Sequence, residues 1–432
     1  MIISIMVSVG ATMAGIAIVQ LANGFLGTLV SMNSAAAGFS PAAVGIILAA
    51  YYGGYTIGAA TIGPVLQRVG HIRLFAALAG LIAAAVALQP VLTSAPAWII
   101  IRLVTGLGCA GLFITAESWL NASSSSQNRG TIFALYMVAT NAAFGAGQFL
   151  LNLPSPGGFE LYSLAAALFC LALVPVSLTR SAAPRLVESP RLRLRDLRRL
   201  APVAFAGCAA TGLASSAFYS LVPAYAQMQG IPASAVAAYI ATAIFGGLAF
   251  QIPVGKLSDR FDRRIVATAI AAGLCITALC LALLPLGPTV ILVFTFVLGG
   301  FLSTIYPVCV AHANDRVEPD KVVSTSGQLI LIHGIASFLG PIVGTTVMHR
   351  AGMEGVFLFM AVVAALFVAV TVWRSVRVAA PEQKDRPFVI LTERMGQPLS
   401  HVADENHVDG SDTNSPDAAP SSFASTFGRP PE

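Results

Sequence analysis

Charge is scarce in this sequence. Asp, Glu, Lys and Arg make up 10% of the 432 residues, whereas an ordinary soluble domain has about 25%. The first charged residue is Arg68, so the 67 residues before it carry no charged side chain. A soluble protein of this length could not cover its surface with so few charges. The composition therefore excludes a soluble globular fold and indicates a protein embedded in a membrane.

Several chemical signatures are also missing from the sequence. It has no phosphate-binding loop of the form G-x-x-x-x-G-K-[ST], and its apolar runs hold no paired carboxylates, metal-ligand cluster or nucleophile–base signature. The six cysteines stand singly in apolar runs, which favours buried thiols over a disulfide framework. We therefore expect neither an enzyme nor a metal or cofactor. A nucleic-acid motif is absent too, and we expect no nucleic-acid partner.

Long apolar runs fill most of the chain. A membrane-crossing helix needs about 20 mainly apolar residues, and twelve runs of that kind can be counted. They lie near 8–31, 41–64, 73–93, 97–119, 130–152, 159–179, 201–226, 233–254, 264–285, 288–311, 324–348 and 355–374. The first run is longer than the apolar core of a signal peptide and has no basic segment before it. We interpret it as the first membrane helix.

The basic residues of the loops follow an alternating pattern. Loops after even-numbered runs contain nearly all of them, whereas loops after odd-numbered runs contain only Arg350. Basic residues favour the cytoplasmic side of a membrane. The pattern therefore predicts that both termini and the central loop are cytoplasmic, and it agrees with a count of twelve helices because a missed helix would invert it.

The chain divides into four segments. Residues 1–179 and 201–378 each hold six apolar runs, and the basic, proline-containing segment 180–200 between them fits a cytoplasmic linker or a short amphipathic helix on the membrane. Residues 379–432 are charged and rich in Pro, Ser and Asp, without apolar periodicity. This composition predicts a disordered cytoplasmic tail. The fold class is thus an all-α polytopic membrane protein of two six-helix bundles.

A basic loop follows the second run of each half. The first copy contains Gly63, Arg68, Gly70 and Arg73, and the second contains Gly255, Asp259, Arg260, Arg263 and Arg264. Because Gly255 and Gly63 are 255 − 63 = 192 residues apart, the two loops indicate an internal duplication. The first copy has Gln67 where the second has Asp259.

These loops resemble the signature G-x-L-x-D-R-x-G-R-[RK] of the major facilitator superfamily. The second copy departs from it at Asp262, where the family usually has Gly. The fourth run adds Arg102 and Gly106, which are similar to the R-x-x-x-G motif of that family. The segment from Glu117 to Asn121 also resembles the YcaD-like bacterial subgroup. The antiporter signature G-P-x-x-G-G is missing from the fifth run, which disfavours drug antiport.

The resemblance implies a role for the two basic loops. Asp259 could meet the N-terminal end of a neighbouring helix, whose partial positive charge it complements, while the arginines pair with acids or lipid phosphates. Such a cluster could hold the halves together in the outward-facing state and release them in the inward-facing one. The alternative is that the loops only anchor the topology. In the first copy, Gln67 stands where the second copy has Asp259, and Glu117 could supply the missing acidic group.

Arg102 is the most informative residue inside the apolar runs. A charged side chain inside a membrane span costs roughly several kcal/mol of free energy unless it is paired or faces water. It could face a cavity and bind an anionic group or take part in proton movement, or it could be structural. Glu117 could carry protons or form an ion pair. His333 could titrate near neutral pH, although simple packing is the favoured interpretation.

Other polar and aromatic residues inside the runs are candidates for a cavity between the repeats. For each one alone, helix packing is at least as good an interpretation. They are Gln20, Asn23, Tyr51, Tyr55, Asn141, Gln148, Tyr219, Gln251 and Tyr306.

The resemblance implies a secondary active transporter in the bacterial inner membrane. We expect a small-molecule substrate, proton coupling as the family default, a lipid bilayer around the protein and a monomer. An uncoupled facilitator and a membrane receptor or regulator that reuses the transporter fold remain alternatives. Arg102 favours an anionic or zwitterionic ligand, whereas the apolar helices favour an amphipathic one.

Overall fold

A computed structural model describes residues 2–124, 128–154, 158–178, 201–317, 321–352 and 354–377. The linker 180–200 and the tail 379–432, to which the sequence assigned roles, lie outside the described residues. The helices are α1 (Ile2–Ala36), α2 (Pro41–Val69), α3 (His71–Leu88), α4 (Ala95–Ser123), α5 (Arg129–Gly147), α6 (Glu160–Leu171), α7 (Pro202–Met228), α8 (Ala233–Arg260), α9 (Arg263–Leu283), α10 (Pro288–Asn314), α11 (Val322–Ala351) and α12 (Glu354–Arg377).

Two short helices extend this set. A 3₁₀ turn, Gln148–Asn152, continues α5, and a five-residue helix, Leu173–Ser177, continues α6. With these extensions the described residues contain twelve helical spans that are long and apolar enough to cross a membrane. The sequence prediction of twelve is therefore confirmed. Inside lipid a helix is favoured because it satisfies its backbone hydrogen bonds internally.

The helices form two groups of six. In the first group α2 packs along α4 and α1 packs along α5; in the second, α8 packs along α10 and α7 along α11. The closest crossings depend on glycine, which lets two helix backbones approach without an intervening side chain. A Cβ added at Gly54 would lie 1.9 Å from the carbonyl oxygen of Leu103, and one at Gly246 would lie 1.9 Å from that of Phe296.

These two crossings are copies of each other. Gly54 and Gly246 are 246 − 54 = 192 residues apart, the same interval that separates the two basic loops. The partner glycines repeat as well, since Gly106 packs on the carbonyl of Tyr51 and Gly299 packs on that of Ala243. The internal duplication inferred from the loops thus extends to the contacts between the helices.

The two groups meet mainly near one end of the bundle. We call the end that carries the loops after even-numbered helices, with Arg68 and Arg260, the basic end. Across the halves α1 contacts α7, α2 contacts α11, and α5 contacts α8, and close contacts lie toward the opposite end. One contact there joins Gly45 to Thr345, and another joins the Ser31 hydroxyl to the carbonyl of Ser220.

Candidate functional site

A cavity lies between the two groups of helices. Its volume is ≈ 250 Å³, and residues of α1, α2, α4, α5, α7, α8 and α11 line it. Seven of the residues proposed from the sequence are among them: Asn23, Tyr51, Tyr55, Arg102, Gln148, Tyr219 and His333. Because both halves contribute, the cavity is in the position that a site between repeats requires.

Arg102 enters this cavity from α4. It is 4% exposed, and its guanidinium carbon lies 4.5 Å from the centroid of the Tyr51 ring. An arginine over an aromatic face gains a cation–π attraction of about 0.5–2 kcal/mol. That attraction leaves the N–H groups at the guanidinium edge available for a planar, negatively charged partner.

The glycine one turn after Arg102 sets this geometry. A Cβ at Gly106 would lie 1.9 Å from the carbonyl oxygen of Tyr51, so only glycine lets α4 approach α2 at this point. Residues four apart lie on the same face of a helix. The close approach at Gly106 therefore directs Arg102 onto the same part of α2, where the Tyr51 ring lies.

Hydrogen bonds hold other parts of the cavity wall. The Asn23 amide donates to the Tyr51 hydroxyl at 3.2 Å. Gln148 accepts from Thr28 at 2.9 Å and donates to the carbonyl of Gly24 at 2.6 Å, which ties α5 to α1. Its amide is thus used in packing although it lines the cavity.

His333 and Tyr219 come from the second half. His333, on α11, is 7% exposed, and its ring meets that of Tyr306 edge-on with centroids 5.2 Å apart. Tyr306 lies behind His333 and does not line the cavity. Gly334, next to His333, packs against Thr56 of α2. The histidine therefore sits where the two halves adjoin.

Four other proposed residues lie away from the cavity. Gln20 is buried in α1, and Gln251 donates to the carbonyl of Ser303 at 3.3 Å within the second half. Asn141 donates to the carbonyl of Met137 in its own helix. Glu117 accepts a hydrogen bond from the hydroxyl of Tyr136 at 3.1 Å. The contacts named for these residues lie within a single half, and none of the four lines the cavity.

Sequence reasoning missed several cavity residues. Tyr52 lines the cavity beside Tyr51, and its hydroxyl accepts a hydrogen bond of 3.4 Å from Ser220 across the two halves. Thr56 and Ser337 also line it. Consecutive aromatic residues in the run Tyr51–Tyr55 could have indicated Tyr52. Small hydroxyl residues of membrane helices give no such signal, since most of them bond to their own helix.

The second basic loop forms a cluster at the basic end. Arg263 is 4% exposed, and its Nε lies 2.8 Å from the carboxylate of Asp315 at the end of α10. The carboxylate of Asp259 is more distant from Arg263, at 3.8 Å. These partners all belong to the second half, so the cluster ties α8, α9 and α10 to each other. Asp315 was not proposed from the sequence.

The first basic loop is arranged differently. Arg68 and Arg73 are exposed and form no ion pair with any described residue, so Glu117 does not replace the missing acid here. His71 makes the polar contact instead, with its Nε2 2.9 Å from the Ser118 hydroxyl of α4. Gly63 has open space around its Cα, whereas Gly255 is buried in α8.

The departure from the signature at Asp262 has a structural reason. The equivalent residue of the first loop, 262 − 192 = 70, is Gly70, whose φ of 85° favours glycine. Asp262 has a φ of −51°, which any residue adopts, and its carboxylate accepts from the Arg264 backbone at 2.8 Å at the start of α9. Burial would raise the pKa of this carboxyl, but the hydrogen bonds from Arg264 outweigh burial and lower the pKa.

Comparisons with known proteins agree with this architecture. The family model described as Major Facilitator Superfamily matches residues 12–287 and 237–402. An uncharacterized MFS-type transporter of Enterobacter sp. (strain 638) is 28% identical over 362 residues, covering 82% of this chain and 93% of the relative. The uncharacterized MFS-type transporter YcaD of Escherichia coli (strain K12 / DH10B) is 25% identical over 358 residues, with the same coverage.

Solved structures share the fold at low sequence identity. The nucleoside transporter NupG superposes with a TM-score of 0.68 at 14% identity, covering 85% of this chain and 96% of that one. The inward open xylose transporter XylE from E. coli superposes with a TM-score of 0.65 at 14% identity, covering 88% and 99%. At this identity the likeness concerns the fold alone.

Proposed function

The chain belongs to the major facilitator superfamily, and on that premise we propose that it moves a small molecule through the central cavity by alternating access. The family and its relatives are transporters and not enzymes. The twelve spans make this a multi-pass membrane protein. The finer proposal is a secondary active transporter of the bacterial inner membrane, with both termini in the cytoplasm.

The observation that carries the proposal is a cavity shared by both halves and bounded at one end by contacts between them. Arg102 and Tyr219 line it from opposite halves, and the contacts between the halves, such as Ser31 to Ser220, lie at the end opposite the basic loops. Basic loops favour the cytoplasm. On this orientation the arrangement corresponds to a state closed to the outside, and opening those contacts would expose the cavity there.

Proton coupling is part of the proposal. His333 lines the cavity and is the described lining residue whose ordinary pKa is nearest neutrality. Glu117 is a second candidate because it is buried inside a span. No carboxylate is present among the described residues that line the cavity, so coupling through the cavity itself favours His333. Separation of the halves would change the surroundings of this histidine, since Gly334 beside it packs on Thr56.

Two alternative functions that were inferred from the sequence remain. An uncoupled facilitator has the same cavity but moves its substrate only down a gradient. A receptor or regulator that reuses the fold would depend on the tail beyond residue 378, which lies outside the described residues. The site geometry favours transport over signalling, because the cavity lies between two halves and separation of their contacts at one end would open it there.

The test uses the full-length protein in liposomes. The liposomes are loaded with an equimolar mixture of organic acids, amines, sugars, nucleosides and amino acids, and the loss of each solute is followed by mass spectrometry. A pH-sensitive dye inside reports proton movement. Protein-free liposomes provide the control, and a chain truncated at about residue 378 is measured beside the full chain.

The proposal expects at least one solute to leave only when the protein is present, with an accompanying change of internal pH and an unchanged rate after truncation. Solute loss without a pH change would replace proton coupling by facilitation. If correctly folded protein releases no solute from the mixture, or if truncation abolishes the flux, transport through the bundle alone is contradicted.

A further inference from the structure

We infer that the cavity binds a small organic monocarboxylate, with its carboxylate on Arg102 and an aromatic or apolar body against the neighbouring rings. The inference rests on the proposed function and names its substrate class. It starts from one charged side chain in the cavity wall and from what surrounds that side chain.

Arg102 lacks a carboxylate counterion among the described residues. Its electrostatic neighbours are Tyr51, Tyr52, Cys109 and Tyr162, all uncharged at neutral pH in their ordinary state. Its Nε is buried and has no hydrogen-bond acceptor within the described part of the chain. A buried cation without an anionic partner is strongly destabilising. The missing partner is supplied most directly by a ligand anion in the cavity that Arg102 lines.

The second half shows that the helix crossing itself does not need this charge. Gly299 on α10 packs on Ala243 of α8 just as Gly106 on α4 packs on Tyr51 of α2, and 299 − 106 = 193. At that interval the counterpart of Arg102 is 102 + 193 = 295, which is Thr295. Thr295 is 3% exposed and donates to carbonyls of its own helix. The fold thus builds the same crossing with a neutral pair, Ala243 and Thr295, so packing does not require Arg102 and Tyr51.

One positive charge favours one negative charge. Among the described residues that line the cavity, Arg102 is the one Lys or Arg, and neither Asp nor Glu is present. A carboxylate matches the planar guanidinium and can accept two parallel hydrogen bonds. A dianion would bring a second charge that no other arginine or lysine of the cavity wall neutralises.

The size and the walls of the cavity limit the rest of the ligand. A volume of ≈ 250 Å³ lies just below the range of about 300–1,000 Å³ that is typical of ligand pockets, which suits a small ligand such as a single-ring compound. Rings of Tyr55, Phe113 and Phe144 line the cavity beside Tyr51. Stacked or edge-on contacts with these rings favour an aromatic body.

Binding to the purified full-length protein tests the inference by titration calorimetry. Benzoate and phenylacetate are compared with their amides, which have nearly the same shape without the charge, and with the dianion phthalate. Arg102→Thr introduces the residue that the second half uses at this place, so the variant retains a packing that the fold already accepts. Arg102→Lys keeps the charge, and Arg350→Thr removes an exposed arginine outside the cavity.

The expected result is that at least one monocarboxylate binds at least about 10-fold more tightly than its amide and than phthalate, as the loss of a charge-assisted hydrogen bond implies. Arg102→Thr should abolish that preference, Arg102→Lys should keep part of it, and Arg350→Thr should leave it unchanged. Equal binding of acid and amide, no binding of either acid, or a preference that survives in Arg102→Thr would overturn the inference. If solutes still leave loaded liposomes in that case, the transport proposal stands and only the substrate class is wrong.

Discussion

Gly106 packs directly on the backbone carbonyl of Tyr51, and a Cβ at Gly106 would lie 1.9 Å from that oxygen. The same contact brings Arg102, one turn away, to 4.5 Å from the ring centroid of Tyr51. The spacing R-x-x-x-G therefore has a physical meaning in this protein. The glycine permits the close approach of α4 to α2, and the arginine uses that approach to reach the cavity.

Gly106→Ala should destabilise the protein because the added methyl group meets a backbone oxygen and separates α2 from α4. The expected cost is about 1–3 kcal/mol, the usual range for overpacking, and it should appear as a lower unfolding temperature in detergent. Gly80→Ala is the matched control, since nothing lies within 4 Å of a Cβ at Gly80. An equal effect of the two changes would contradict the close contact between α4 and α2.

Asp315→Asn should destabilise the protein strongly because it leaves the buried Arg263 without its close carboxylate, which lies 2.8 Å away. Removing one partner of a buried ion pair costs about 3–5 kcal/mol. Asp259→Asn should cost less than about 1 kcal/mol, since that carboxylate is 40% exposed and 3.8 Å from Arg263. Thermal unfolding of the two variants measures the difference, and the reverse order would show that Asp259 is the main partner.

The stability of the folded protein should depend on pH through the carboxyl group of Asp262. Its pKa is lowered in the folded protein because hydrogen bonds from Arg264 outweigh burial. The lowered pKa stabilises the fold above the unfolded value of about 3.9, and this stabilisation is lost as the pH falls through the folded pKa.

Asp262→Asn should therefore unfold at a lower temperature than wild type at pH 7, by the equivalent of about 1 kcal/mol, and the gap should shrink below about pH 4. Asn can still accept the hydrogen bond at the start of α9, so the comparison isolates the charge. A gap that stays constant from pH 7 to pH 3.5 would show that the ion pair with Arg264 contributes nothing.

Tyr51→Leu should weaken binding of a monocarboxylate because it removes the ring that orients Arg102. A cation–π contact of about 0.5–2 kcal/mol corresponds to a loss of roughly 2- to 30-fold in affinity. Tyr51→Phe keeps the ring and removes the hydroxyl, which hydrogen-bonds with Asn23. Calorimetry should therefore place it close to wild type. If Tyr51→Phe and Tyr51→Leu weaken binding equally, the Tyr51 hydroxyl and not its ring face is the important group.

The sequence predicted the fold well because membrane helices are encoded by composition. Some bounds differ: α3 ends at Leu88 and not near residue 93, since residues of this turn are apolar enough to extend the run. The duplication was also predictable, because the two basic loops repeat at an interval of 192 residues. Family membership, inferred from a few loop residues, is confirmed by the match over most of the chain.

The site was only partly predictable. Arg102 stands out in any apolar run, because a membrane charge needs a partner or water. Glutamine and asparagine do not reveal which face of a helix they occupy, so Gln251 and Asn141 could not be separated from Asn23 by composition. The ion pair of Arg263 with Asp315 joins residues 52 positions apart (315 − 263), and nothing in the loop motif indicates that partner.

The most direct test of the account is a disulfide that holds the two halves together opposite the basic loops. A Cβ at Gly45 lies 3.2 Å from the Cβ of Thr345, close to the range of about 3.5–4.5 Å found in disulfides, so Gly45→Cys with Thr345→Cys should cross-link α2 to α11. The measurement is flux of the transported solute in liposomes before and after oxidation, with the two single variants as controls. We predict that oxidation stops flux only in the double variant and that a reductant restores it. Flux at the reduced rate through fully cross-linked protein would contradict alternating access through this cavity.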